Sequence, residues 1–158
     1  MGHKIRDLSH SDIWRTPPYF YNVLNREFDF DFDPCPHNES DLEFDGLAVD
    51  WGQRNFVNPP YSQQLKEQFV IKAIQESNKG KICVMLLPVS TSSKLFHEYI
   101  APNASEIRFV RGRIYFYRHI RGAGMHDSML VVFDGSKTRN GVIYSLMEQS
   151  DDVQLILE

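Results

Sequence analysis

An amide, two prolines and an aromatic ring, Asn58, Pro59, Pro60 and Tyr61, directly follow a short predicted strand at residues 54–57. The Asn58 side-chain oxygen and the Pro59 carbonyl oxygen are hydrogen-bond acceptors, and the fixed φ of proline holds the second one rigidly. This pair could bind both N–H groups of an aromatic amine, such as that of adenine, while Tyr61 stacks on the ring. The segment therefore predicts a catalytic loop, Asn58 to Tyr61, that works by orientation and electrostatics rather than by proton shuttling.

The same four residues have a plainer interpretation. A Pro-Pro pair can simply close a strand as a turn, with the tyrosine packed against the domain. The order of amide, prolines and aromatic ring after an apolar run favours the chemical interpretation. Ligands of α/β proteins also gather at the carboxyl ends of strands, which is where this segment stands.

Helices and strands alternate along the chain, whose 158 residues suffice for one domain, with the polar residues 1–12 expected to be loosely held. This alternation predicts a compact α/β fold, with a mainly parallel sheet and helices on both faces. Helical spacing is found at 19–26, 62–79 and 91–100. Strands are predicted at 28–32, 54–57, 81–89, 107–110, 114–117 and 128–133, and the tail at 142–158 predicts one helix and a short last strand.

Charge is unevenly distributed along the chain. The formal net charge of −4 and the isoelectric point of about 5.8 argue against a protein that coats nucleic acid by bulk charge. A basic concentration late in the chain nevertheless predicts contacts with phosphate groups. The alternative is a solvated surface with ion pairs to the acidic segment 37–53. The basic residues are Arg108, Arg111, Arg113, Arg118, His119 and Arg121.

Cysteine and histidine usage gives no sign of a metal centre. Cys35 and Cys83 form no Cys-x-x-Cys pair, and each lies in or beside an apolar run, which is typical of reduced, buried thiols. The histidines share no ligand spacing, so we assign no metal. No apolar segment at the start suggests a signal peptide, and no stretch approaches the length of a membrane span. These features predict a cytoplasmic protein.

Taken together, the motifs resemble those of the phage-type DNA N6-adenine methyltransferase (Dam) family. They occur in the family's order and cover most of the chain. The matching segments are Trp14-Arg15-Thr16-Pro17, Phe28–Pro34, Trp51, Asn58–Ser62, Leu87-Pro88, Arg111–Phe116 and Ser128–Phe133.

The resemblance implies a Rossmann-like methyltransferase fold, with S-adenosylmethionine as methyl donor and a flipped-out adenine of duplex DNA as acceptor. It implies that Asp33 receives the ammonium group of the cofactor and that Asn58–Tyr61 is the catalytic loop. The implied cofactor-binding residues are Trp14, Thr16, Pro17, Asp33, Pro34, Asp50 and Asn58. For the DNA-binding residues we take five members of the basic concentration described above: Arg111, Arg113, Arg118, His119 and Arg121.

The chain departs from the family's pattern in one place. No glycine-rich turn follows the first predicted strand, and the acidic residue that binds the cofactor ribose is not identifiable among Glu43, Asp45 and Asp50. Two alternatives stay open: a methyltransferase acting on RNA or on protein glutamine, and a degenerate module that binds cofactor or DNA without turnover. Under the main hypothesis, a phage-encoded protein would act in the host cytoplasm. It would read a short site through residues 111–127 and 37–53.

Overall fold

The structure, a computed structural model, describes residues 15–36, 44–116 and 126–150. Outside this part of the chain lie residues 1–12, the end of the tail at 151–158 with its predicted last strand, and five residues named above: Trp14, Glu43, Arg118, His119 and Arg121. The helical elements are α1 (Pro18–Phe28), α2 (Gln63–Ser77), a π-helical segment (Phe96–Ile100) and α3 (Ala101–Asn103). The strands are β1 (Arg54–Val57), β2 (Ile82–Pro88), β3 (Glu106–Val110), β4 (Ser128–Asp134) and β5 (Ile143–Met147).

The five strands form one mixed sheet in the order β1-β2-β4-β3-β5. Strands β1 and β2 are parallel, as are β3 and β5, whereas β4 runs antiparallel to both β2 and β3. The prediction of a mainly parallel sheet therefore holds for only part of the pairing. The physical reason is that the chain returns from β3 into its immediate neighbour β4, and an adjacent return of this kind reverses the strand direction.

Apolar strand residues point alternately to the two faces of the sheet, and each face is covered by helices. On one face, Met85 and Leu87 of β2 pack with Phe69 of α2 and with the π-helical segment. On the other face, the neighbouring β2 residues pack against Phe20 and Leu24 of α1. Because a central strand is buried on both sides, the uninterrupted apolar run that predicted β2 is its expected sequence pattern. The prediction of helices on both faces is confirmed.

Helix α1 continues to Phe28, into the acidic-aromatic segment and beyond the end at residue 26 that the sequence pattern predicted. Asp29 adopts the left-handed conformation, with a φ of 51°, and its N–H donates to the Asn25 carbonyl. The predicted strand at 28–32 is reduced to a single parallel bridge between Phe32 and Asn55. The alternation of Phe and Asp instead reflects an extended chain whose rings, such as those of Phe28 and Phe30 at 5.8 Å, pack together.

Three other predicted elements differ from those observed. Residues 114–117 were predicted as a strand, but the described part, 114–116, is irregular; its side chains Ile114 and Phe116 are buried and so produced the strand-like pattern. The predicted helix in the tail is instead strand β5, which pairs with β3. The predicted helix at 91–100 is observed as the π-helical segment followed by α3.

Two charged clusters tie helices to the sheet. The Glu76 carboxylate at the end of α2 is fully buried and contacts Lys81 at 2.6 Å, Lys79 at 3.1 Å and Lys72 at 3.2 Å. Arg108 of β3 donates to both carboxylate oxygens of Glu27, at 2.6 Å each. The second cluster holds the end of α1 against β3.

Candidate active site

The functional candidates lie along one edge of the sheet, which we call the carboxyl edge because β1, β2, β3 and β5 end there. The antiparallel strand β4 begins at this edge, since Ser128 pairs with Pro88, the last residue of β2. The parallel bridge between Phe32 and Asn55 brings Asp33 to the same edge, next to β1. The topology therefore gathers segments from distant parts of the sequence.

Asn58 is the first residue beyond β1 and is only 2% exposed. Its side-chain Nδ2 donates a hydrogen bond of 3.0 Å to the hydroxyl oxygen of Thr16. Thr16 is held there because Pro17 is buried and α1 begins immediately after it, with proline at its first position. The structure thus joins a predicted catalytic residue to a predicted cofactor-binding segment that lies 42 positions earlier in the sequence.

Beyond Asn58, the loop turns along the sheet edge. Pro59 and Pro60 are buried, and the Tyr61 ring lies edge-on to Phe116 at 6.2 Å and to His126 at 6.5 Å between ring centroids. Burial raises the pKa of the Tyr61 phenol, so it is neutral at physiological pH. Tyr61 can therefore pack against an aromatic ring but cannot serve as a base in this state.

His126 is a neighbour of Tyr61 that the sequence did not predict. Its proximity depends on the reversed direction of β4, which brings the residues before that strand to the carboxyl edge. Without the strand direction, nothing in the sequence signals this contact.

Asp33 is partly buried at the end of the extended segment that bridges to β1. Its Oδ1 accepts a hydrogen bond of 2.8 Å from the Cys35 N–H, which fixes the carboxylate in a local turn. Burial, and secondarily the negative charge of Asp33, raise the pKa of Tyr21 on α1. The Tyr21 ring, which packs edge-on to Phe56 at 5.3 Å, is thus an aromatic neighbour of this carboxylate that the helical pattern did not single out.

The remaining carboxylate candidates are separated by the fold. Asp50 is exposed and pairs with Lys79 at 3.3 Å, beyond the end of α2 and beside the amino ends of β1 and β2. The structure therefore does not bring Asp50 together with Asn58 and Asp33. Asp45 lies in a turn, where its Oδ1 accepts the Leu47 N–H at 2.9 Å.

That turn is close to the carboxyl edge. The following residue, Gly46, packs so tightly against Pro34 that a Cβ at this position would overlap the Pro34 carbonyl oxygen. Of the two described candidates for the cofactor ribose, Asp45 is accordingly the one whose chain neighbour, Gly46, packs on a predicted cofactor-binding residue. Trp51, by contrast, is buried in the core, where its indole N–H donates to the Gly46 carbonyl at 2.7 Å.

Arg111 and Arg113 follow β3 at the carboxyl edge, and both are exposed. Arg111 pairs with Glu148 at 3.3 Å, and Arg113 with Asp127 at 3.5 Å. Both carboxylate partners are themselves exposed, so breaking these ion pairs costs little free energy. Two predicted DNA-binding residues therefore lie on the same edge as the predicted catalytic loop.

Comparison with known proteins decides the family. The family model described as DNA N-6-adenine-methyltransferase (Dam) matches residues 6–154, nearly the whole chain. The chain belongs to the Dam family. No curated protein and no solved structure matches the chain.

Membership of the Dam family confirms the resemblance drawn from the sequence motifs. It places the chain among DNA adenine methyltransferases in general, a class that uses S-adenosylmethionine. The residues at the carboxyl edge fit that cofactor chemically: the Asp33 carboxylate suits an ammonium group, the Thr16 hydroxyl is a polar partner, and Pro17 and Pro34 provide buried apolar surface.

The described residues contain no cluster of three or more His, Cys, Asp or Glu side chains that could hold a metal ion. Within the same part of this Dam-family chain, no helix has the length and apolar character needed to span a membrane.

Proposed function

We propose that this protein methylates the exocyclic amine of adenine in duplex DNA, with S-adenosylmethionine as donor and with the target base flipped out of the helix. The observation that carries the proposal is the hydrogen bond between Asn58 and Thr16 at the carboxyl edge. It places the amide of the predicted catalytic loop against the segment predicted to hold the methyl donor.

The role of the protein in the chemical step is to orient a weak nucleophile. The lone pair of the adenine amine is delocalised into the ring. Hydrogen bonds from its two N–H groups to the Asn58 Oδ1 and the Pro59 carbonyl oxygen would localise that lone pair on nitrogen. S-adenosylmethionine supplies an electrophilic methyl group when bound. The oriented amine nitrogen would accept the methyl group that the donor gives up, and would release one proton to solvent.

The surroundings of Asn58 suit this role. Because the side chain is buried, hydrogen bonds to its oxygen act in a medium of low dielectric constant, where they are stronger than in water. The two buried prolines that follow restrict the backbone, so the Pro59 carbonyl needs little reorganisation. The neutral Tyr61 would lie against the face of the base and offset part of the cost of unstacking it.

The proposed cofactor site consists of Thr16, Pro17, Asp33, Pro34 and Asn58, all at the carboxyl edge. The proposed phosphate contacts are Arg111 and Arg113, and the same role is proposed for Arg118, His119 and Arg121. Since Arg111 and Arg113 have exposed carboxylate partners, a DNA phosphate could replace those partners at small cost.

The proposal is tested by comparing Asn58→Ala with Asn58→Asp. Alanine removes the acceptor, so kcat should fall about 100-fold to 1,000-fold, the range seen when one preorganised polar partner of a transition state is removed. Aspartate keeps an acceptor oxygen and should retain more activity than alanine. Calorimetry with S-adenosylmethionine should show that Asn58→Ala still binds the cofactor. An active Asn58→Ala enzyme would contradict the proposal.

The acceptor substrate is tested separately with a methyl donor that carries an isotopic label. We expect label in duplex DNA, at the adenine amine, and none in RNA or protein offered at equal mass. Label in RNA or in protein glutamine, but not in DNA, would overturn the DNA assignment. Binding of the donor without transfer to any acceptor would instead support a degenerate module.

A further inference from the structure

We infer that Thr16 is a positioning residue that fixes the orientation of the Asn58 amide, so that its oxygen rather than its NH₂ group faces the substrate amine. This inference rests on the proposed function. It assigns to Thr16 a task beyond cofactor binding, because it makes the threonine hydroxyl act through the catalytic amide.

The argument starts from the two different ends of an amide side chain. Its oxygen is an acceptor and its NH₂ group a donor, and a substrate amine that donates two hydrogen bonds can be held only by the oxygen. If the Asn58 amide were rotated by half a turn, its NH₂ group would face the amine and two donors would oppose each other. Catalysis therefore requires the Asn58 NH₂ group to be bound elsewhere.

The structure supplies that other partner. The Asn58 Nδ2 donates to the Thr16 hydroxyl oxygen at 3.0 Å, within a site where Asn58 is 2% exposed. At such a buried position, an amide donor that loses its acceptor carries the full cost of desolvation. The hydroxyl thus stabilises the observed orientation of the amide, in which the NH₂ group is turned toward Thr16, and a methyl group in its place would penalise that orientation.

Thr16 is itself held rigidly enough to do this. It precedes the buried Pro17, whose carbonyl oxygen accepts the N–H groups of Phe20 and Tyr21 at 3.1 Å each. The restricted backbone before a proline and the first turn of α1 fix where the hydroxyl can point. The hydrogen bond between Thr16 and Asn58 thereby ties the orientation of the catalytic amide to the position of α1 on the sheet.

The test compares Thr16→Val, which keeps the shape and removes the hydroxyl, with Thr16→Ser, which keeps the hydroxyl. Thr16→Val should lower kcat about 10-fold, the size expected when a buried donor loses its partner. The KM for DNA should change by less than about 3-fold, and kcat is measured at saturating S-adenosylmethionine because Thr16 also belongs to the proposed cofactor site. Thr16→Ser should restore most of kcat. Melting temperatures of both variants report on folding, and Thr16→Ala replaces valine if that variant does not fold.

The decisive measurement is the same substitution in an Asn58→Ala background, followed by single-turnover kinetics. With no amide to orient, Thr16→Val should lower the rate by less than about 2-fold. An equal loss in both backgrounds would show that Thr16 acts on the cofactor or the fold and would overturn the inference. Equal rates of Thr16→Val and the unaltered enzyme would overturn it as well. Failure of the proposed function is recognised separately, because Asn58→Ala alone would then keep its activity.

Discussion

Tyr61 is partly buried as a residue and its hydroxyl oxygen is fully buried, while its ring lies edge-on to Phe116 and His126. Stacking uses only the ring, so we expect Tyr61→Phe to keep kcat/KM for DNA within about 3-fold. Tyr61→Ala removes the ring and should lower kcat/KM about 10-fold to 100-fold, from the range of base–aromatic stacking energies. Steady-state kinetics on one duplex substrate measures both. A phenylalanine variant as impaired as the alanine variant would contradict stacking as the main role.

The two described acidic candidates for the cofactor ribose, Asp45 and Asp50, form a matched pair for mutagenesis. Asp45 precedes Gly46, which packs on Pro34 at the carboxyl edge, whereas Asp50 is exposed and pairs with Lys79 away from it. We expect Asp45→Asn to raise the Kd for S-adenosylmethionine about 10-fold and Asp50→Asn to leave it unchanged. Titration calorimetry measures this difference. A larger increase in Kd for Asp50→Asn than for Asp45→Asn would show that Asp50, and not Asp45, belongs to the cofactor site.

Single residues show how far the sequence could predict the candidate site. Asn58 and Tyr61 could be proposed from the sequence because the acceptor groups, the prolines and the aromatic ring are adjacent in the chain. Recognising their chemistry therefore does not require the fold. Thr16 could be proposed only by resemblance to the family, and its contact with Asn58 spans 42 positions. Tyr21 and His126 gave no usable signal, since their proximity to Asp33 and Tyr61 arises from how α1 and β4 pack on the sheet.

The turn after β3 is an element whose shape is set by one distant side chain. Gly112 has a φ of 71°, and the Gln149 Nε2 donates to the carbonyls of Arg111 at 2.9 Å and Arg113 at 3.3 Å. The Gln149 Oε1 in turn accepts from the Tyr19 hydroxyl at 2.9 Å. The turn that carries two proposed phosphate contacts is thus connected to the start of α1.

From this connection we predict that Gln149→Glu raises the KM for DNA about 5-fold. A carboxylate can still accept from Tyr19 but cannot donate to the two carbonyls, and it adds a negative charge beside the arginines. The Kd for S-adenosylmethionine should stay the same. Tyr19→Phe is the control, since it removes only the other hydrogen bond. If the two variants bind DNA equally well, Gln149 does not hold the turn for DNA.

Among the helices and strands, the sequence predicted those whose local sequence pattern agrees with the way they pack in the fold. Strand β1 and helices α1 and α2 were located closely because apolar spacing, proline and glycine all gave the same boundaries. The prediction failed where aromatic burial imitates a strand, as at residues 28–32 and 114–116. It also failed for β5, whose exposed Ile143 and Leu146 give no strand-like alternation and whose pairing with β3 is a tertiary effect.

At the scale of the whole molecule, Glu76 is the most deeply buried charged side chain among the residues that the structure describes, and it joins separate elements. Burial alone would raise its pKa, but hydrogen bonds from Lys81, Lys79 and Lys72 outweigh burial and lower the pKa from 4.5 to about 2. Lys81 also donates to the Trp51 carbonyl at 2.6 Å, so the cluster links α2, β2 and the segment before β1. Since the folded-state pKa is lowered, ionised Glu76 stabilises the fold above pH 4.5, and this stabilisation is lost as the pH falls towards 2.

We therefore predict that Glu76→Gln lowers the free energy of unfolding at pH 7 by about 3 kcal/mol, because it leaves buried lysine charge without its counterion. The stability of this variant should also fall less steeply between pH 4.5 and 2 than that of the unaltered protein. Denaturant titrations across this range measure both effects. Glu67→Gln on the same helix is the control, since Glu67 has no ion pair within the described part of the chain. A parallel pH dependence for the Glu76 variant would contradict the assignment.

The reversed strand β4 has a consequence for how such a small enzyme can diversify. Since β3 ends and β4 begins at the same margin of the sheet, everything between Val110 and Ser128 leaves and re-enters the framework at adjacent points. Within this stretch, Ile114 and Phe116 are buried, and Phe116 and His126 contact the Tyr61 ring, so these three residues must be kept when the rest is exchanged. We expect that exchanging residues 117–125 between relatives transfers the DNA sequence that is marked and leaves the marking reaction intact.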